Sequence, residues 1–178
     1  MLLQYVDWGV SVALVEYRGY GRSGGEPSEA GITADQVAFH DLVTARPEVD
    51  ASRVVLHGRS LGGGAMGQLA ARRTPRAMVL ESTFRSVTSM AKRFLMPAFL
   101  VRDPFDTEAV LRTLDAPLLL MHGDRDEVIP HEHSEALLAA ARDARLVTYR
   151  AGHNDFPPVS APYWAEIRAH LVAAGVLR

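Results

Sequence analysis

Apolar positions along this chain gather into short runs separated by glycine, proline and charged residues. The stretch Val10–Tyr17 is rich in β-branched residues and almost continuously apolar, the pattern of a strand buried on both faces. Similar short runs at Arg53–His57, Ala77–Glu81, Pro117–Met121 and Leu146–Tyr149 read as further strands. Helical stretches alternate with them. Residues 2 to 8 read as the end of a helix stopped by Gly9. Thr33 and Gln36 make a capping-box pattern that opens a helix to about Arg46, with Val37, Ala38, Leu42 and Ala45 on its inner face. Pro47 stops it. Further helices are expected at Leu61 to about Arg73, Asp106 to Leu114, after Pro130 to about Arg142, and 160 to about 174, where Trp164, Ile167 and Leu171 fall at helical spacing.

Strands alternating with helices imply an α/β fold with a mostly parallel sheet of about five strands, flanked by helices on both faces. The chain reads as a single domain over residues 1–178. Between about residues 84 and 114 the pattern loosens. The apolar cluster Phe94–Val101, broken by Pro97, suits either a small lid-like insertion over a pocket or plain core packing.

Composition narrows the function classes. Hydrophobic residues make up 48% of the 178 residues and charged residues 22%, ordinary for a globular chain. The net charge of −2 offers no basic surface for nucleic acid or an anionic membrane. There is no cysteine, which excludes disulfides, a thiol nucleophile and thiolate metal sites. No apolar run reaches the length of a membrane span. Met1–Trp8 lacks the basic residues and apolar core of a signal peptide, so a cytoplasmic placement is expected unless a signal or anchor precedes residue 1.

The stretch from Val54 to Gly64 organises the candidate chemistry. It reads as a buried strand, then Gly58-Arg59-Ser60-Leu61-Gly62, then a helix start. A serine on so tight a strand-to-helix turn is pushed out of the sheet with its hydroxyl exposed, and the Leu61 amide at the helix start points where an oxyanion would form. In such sheets ligands sit beyond the carboxyl ends of the strands. Ser60, Asp126 and His153 each follow a predicted strand, so all three project toward one edge. Their order is serine, acid, histidine, as expected for a serine elbow on this architecture. An imidazole can take the serine's proton, and a carboxylate can hold that imidazole in the right tautomer.

Other candidates fit less well. Asp124 and Glu81 compete for the acid's role. Asp126 stands deeper in its loop, bracketed by Gly123 and Pro130. His57 and His122 precede glycines at strand ends and are expected to pack, His40 reads as a packed or solvated helix residue, and His131 and His133 read as surface residues without a third metal ligand. Gly19, Gly21 and Gly24 match Gly-x-Gly-x-x-Gly, but loop residues follow where a dinucleotide site needs a helix. No cofactor and no metal are expected.

Taken together, these motifs resemble the α/β-hydrolase superfamily, and within it the Bem46-like hydrolases, kin to serine aminopeptidase-type proteins. The matching segments are Arg18–Ser23, Gly58–Gly63, Glu81–Phe84, His122–Asp126 with Ile129-Pro130, and Gly152–Asp155. The resemblance implies a metal-free serine hydrolase acting on a small acyl substrate (an ester, thioester or amide) through an acyl-serine intermediate. It also implies about three more strands ahead of residue 1, one ending in a His-Gly motif whose loop supplies the second oxyanion amide. The fold expected here is therefore an N-terminally truncated α/β-hydrolase, with Leu61 as the one recognisable oxyanion donor. The alternative expectation is a non-catalytic remnant lacking the first oxyanion loop, with self-association through unpaired strand edges.

Overall fold

The computed structural model describes residues 3–92, 95–157 and 161–178. In chain order its elements are α1 (Leu3–Asp7), α2 (Glu29–Thr44), β1 (Val55–Arg59), α3 (Leu61–Ala70), β2 (Ala77–Glu81), α4 (Val87–Lys92), α5 (Thr107–Leu111), β3 (Leu118–Gly123), α6 (Glu132–Ala140), β4 (Ala144–Tyr149) and α7 (Ala161–Ala173).

The four strands form one parallel sheet in the order β1-β2-β3-β4. The pleat divides their apolar runs between two cores. Val79, Leu119 and Met121 face α1 and α7, where Tyr5, Tyr163, Ile167 and Leu171 meet them. Leu56, Met78, Leu80, Leu118 and Leu120 face the other way, against Leu69 of α3, Leu111 of α5 and Leu137 of α6. Every residue of β2 and β3 is buried, which is why these strands read as continuous rather than alternating apolar runs. A third cluster joins Ile32 of α2 and Ala65 of α3 to Phe84, Phe105 and Ile129.

Two expectations need correction. Val10–Tyr17 is not a strand, so among the described residues the sheet has four strands rather than about five. Leu14 there is 76% exposed, and Val12 is exposed too. A strand exists only against a neighbour's backbone, and among the described residues β1 pairs with β2 alone. An apolar run has no sheet to be buried in without that neighbour. The second correction concerns α2, which starts at Glu29, before the Thr33–Gln36 pattern. Ser28 caps it, its extended backbone letting the side chain accept from the Gly31 amide. The buried line then runs through Ile32 and Gln36, while Leu42 is exposed.

Within residues 84–114, α4 and α5 flank a short 3-10 turn at Ala98–Leu100. Phe94 lies outside the described residues. Leu95 and Phe99 are 92% and 84% exposed, so this part of the cluster is not core packing. The segment's far end is tied to the start of α2. The Glu29 amide donates to Asp103 Oδ1 at 2.6 Å, and the Phe105 amide donates to Glu29 Oε2 at 2.5 Å. Among the described residues no helix is long and apolar enough to cross a membrane.

Candidate functional site

Ser60 sits between the last residue of β1 and the first of α3, with φ 54° and ψ −123°. That backbone is strained for a residue with a side chain. Three hydrogen bonds hold it. The Ser60 amide donates to the Glu81 carbonyl at 2.9 Å, and the Ser60 carbonyl accepts from the Gly63 amide at 2.9 Å and from Thr83 Oγ1 at 2.8 Å. The turn also needs bare backbone nearby. A Cβ on Gly58 would fall 2.4 Å from the Gly62 carbonyl oxygen. Ser60 thus lies on a tight turn between a strand and a helix.

The helix start shapes the electrostatics. Leu61 is the first residue of α3, and its amide is among those with no acceptor inside the helix. The positive end of the helix dipole lies at the same place and favours negative charge there.

His153 and Asp126 meet Ser60 from the ends of other strands. His153 follows β4, and its Nε2 lies 3.1 Å from Ser60 Oγ. Its Nδ1 lies 2.7 Å from Asp126 Oδ2. With Nδ1–H donating to the carboxylate, Nε2 accepts from the serine hydroxyl. Asp126 is 6% exposed, and its Oδ1 accepts from the amides of Val128 at 3.0 Å and Ile129 at 2.7 Å. The loop thus folds back on its own carboxylate and aims it at the imidazole. All three predicted residues come together, and Leu61 stands beside them.

The competing acids lie elsewhere. Asp124 is exposed. Glu81 is fully buried but faces the α1–α7 side, where Tyr163 donates to its Oε1 and His57 Nε2 lies 3.0 Å from the same oxygen. His57 Nδ1 in turn meets the Tyr5 hydroxyl at 2.8 Å, so His57 packs as expected. His133 departs from its expected surface position: it is 6% exposed, and its Nδ1 accepts from the Arg85 amide at 3.2 Å. His131 is partly exposed, with Nε2 2.8 Å from Thr148 Oγ1.

Three supports of the site are not evident from the sequence pattern. Arg59 Nη2 donates to the His153 carbonyl and ties the histidine loop to β1. Thr83 holds the Ser60 carbonyl from the end of β2. His122, fully buried, reaches the Asp126 carboxylate with Nε2 3.2 Å from Oδ2. The position of Thr83 just after a strand is a usable signal; the other two are set by tertiary packing.

Comparisons with known proteins agree with this architecture. The structure resembles acetyl xylan esterase 1 from Thermoanaerobacterium with a TM-score of 0.75 at 22% identity, covering 95% of this chain and 68% of that one. It resembles a monoacylglycerol lipase of Paleococcus ferrophilus with a TM-score of 0.73 at 19% identity, covering 97% of this chain and 87% of that one. These likenesses define the fold as that of the α/β-hydrolases. In sequence, the chain is 36% identical over 152 residues to the uncharacterised protein Rv2307c of Mycobacterium tuberculosis, covering 83% of this chain and 54% of that protein. It is 28% identical over 162 residues to the protein bem46 of Schizosaccharomyces pombe, covering 85% and 54%. The prolyl oligopeptidase family model matches residues 2–154, and the chain belongs to that family. It spans about half the length of the curated relatives it matches.

Proposed function

We propose that this chain is a serine hydrolase that cleaves an ester, thioester or amide through an acyl-serine intermediate. The observation that carries the reading is the continuous line from Asp126 Oδ2 through both nitrogens of His153 to Ser60 Oγ, at 2.7 and 3.1 Å. In acylation, Ser60 Oγ bonds to the acyl carbon as its proton passes to His153 Nε2. The carbonyl oxygen gains the negative charge, which the Leu61 amide and the α3 dipole stabilise. The carbon then sheds its leaving group, which takes the proton from His153. Water repeats the sequence on the acyl-serine, and the acid departs. Asp126 stabilises the imidazolium in both halves.

The esterase and lipase neighbours support hydrolysis of an acyl compound as the reaction class. The test is covalent capture. The chain and its Ser60→Ala variant are treated with a fluorophosphonate, and labelled peptides are read by mass. Labelling confined to Ser60 is expected. Equal labelling of the variant sinks the assignment.

A second reading, a non-catalytic remnant that self-associates, draws on one observation. The outer edge of β1 has no strand partner among the described residues, and exposed Val12 and Leu14 lie in a strand-like sequence. A folded monomer that labels at Ser60 excludes it.

A further inference from the structure

Asp126 Oδ2 faces two imidazoles. One is His153, at 2.7 Å. The other is His122, four residues back at the end of β3, fully buried with Nε2 3.2 Å from the same oxygen. We propose that His122 is a positioning residue for the Ser60 site: a neutral imidazole whose Nε2–H donates to the Ile129 carbonyl and lies beside Asp126 Oδ2, where it sets how much negative charge Asp126 presents to His153. The proposal rests on the hydrolase reading of that site.

The tautomer of His122 follows from its partners. Nε2 lies 2.8 Å from the Ile129 carbonyl oxygen, which can only accept, so Nε2 carries a hydrogen. Nδ1 lies 2.6 Å from Ser134 Oγ, a hydroxyl that can donate to it. Burial, with smaller opposing contributions from Ile129 and Asp126, lowers the pKa of His122 below its ordinary value. The ring therefore stays neutral at neutral pH. A charged ring at that distance would compete with His153 for the carboxylate; a neutral N–H withdraws only part of its charge.

The hydrogen bond to Ile129 matters as much as the contact with Asp126. Ile129 also donates its amide to Asp126 Oδ1 at 2.7 Å. His122 thus holds both ends of the loop that aims the carboxylate. Ser134, on α6, is 1% exposed and holds the far side of the ring. The ring of His131 stands 5.5 Å away, centroid to centroid, and opposes a charge on His122. Around His153 the facing groups are Asp126, Ser60 and the Arg59 guanidinium on its carbonyl.

Removing the His122 N–H leaves more charge on Asp126 Oδ2. His153 then holds its proton to higher pH, and a protonated His153 cannot activate Ser60. His122→Leu removes the donor at similar bulk. His122→Gln keeps an N–H2 that can reach the Nε2 position. Fluorophosphonate labelling is measured against pH, and the His153 Nδ1 proton is followed by NMR in all three proteins. In His122→Leu the pH of half-maximal labelling rises by about half a unit or more, and the proton resonance moves. His122→Gln returns both toward the wild type. A slower labelling rate with an unmoved pH midpoint and an unmoved resonance in His122→Leu overturns the proposal, as does a glutamine variant that behaves like leucine. Absence of labelling in the wild type counts against the hydrolase reading alone. The resonance, which needs no reaction, then decides the His122 proposal by itself.

Discussion

Gly63 and Thr83 stand so close that a Cβ on Gly63 would fall 2.3 Å from Thr83 Oγ1. Both residues donate to one oxygen, the Ser60 carbonyl. The missing side chain on α3 and the hydroxyl at the end of β2 are thus one device that fixes the turn carrying Ser60.

Gly63→Ala tests this device. In an open helix the change would stabilise, by roughly 0.5–1 kcal/mol. Here the new methyl collides with a fully buried threonine, and a net loss of about 1–3 kcal/mol is expected from overpacking. Denaturant titration measures it. An alanine variant as stable as the wild type would show that the approach is not rigid.

Ser60 stores backbone strain, and glycine should release it. At φ 54° glycine is comfortable and alanine is not. Ser60→Gly is expected to be more stable than Ser60→Ala, by up to about 1 kcal/mol. Both are expected to lose covalent capture. Thermal melting of the pair, side by side, checks the ranking, and the reverse order would mean that the turn is relaxed.

Two histidines, the buried His122 and the half-buried His170, make stability depend on pH. Burial is the largest cause lowering the pKa of both His122 and His170, whose Nε2 lies 3.0 Å from the Met78 carbonyl. With folded values depressed, the unfolded chain binds more protons as pH falls. Their contribution is fully present above about pH 6.5, the unfolded value, and is lost as pH drops from there through the folded values. The melting temperature should fall as pH drops below about 6.5. His170→Gln should flatten part of that slope, and an unchanged slope would remove His170 from the account.

Tyr163→Phe probes the buried carboxyl of Glu81. Tyr163 is fully buried and donates to Glu81 Oε1. Burial first, then the nearby Glu81, raises the phenol's pKa far above its usual value, so it remains a donor at every working pH. Losing that donor leaves a buried acceptor short of a partner, at a cost of about 1–3 kcal/mol. Equilibrium unfolding gives the value. A loss below about 0.5 kcal/mol would mean that His57 alone satisfies the oxygen.

Much of the site is legible in the order of residues along the chain. The glycines around Ser60, the strand before it and the helix after it announce a strained turn, because those residue types leave few other conformations open. Strand positions alone place Asp126 and His153 on the same edge. Depth in the loop favours Asp126 over Asp124 and Glu81, and packing supplies the reason. Asp124 faces solvent, whereas Glu81 points to the opposite side of the sheet.

The sequence by itself determined the alternation of elements, since apolar periodicity and chain punctuation act over a few residues. It also determined the order of serine, acid and histidine. Tertiary structure alone decided that Val10–Tyr17 is no strand, that His133 is buried and that His122 lies against the Asp126 carboxylate. Each of these depends on what lies across space. A strand needs the backbone of a neighbour, and a histidine's role depends on the groups that its two nitrogens meet.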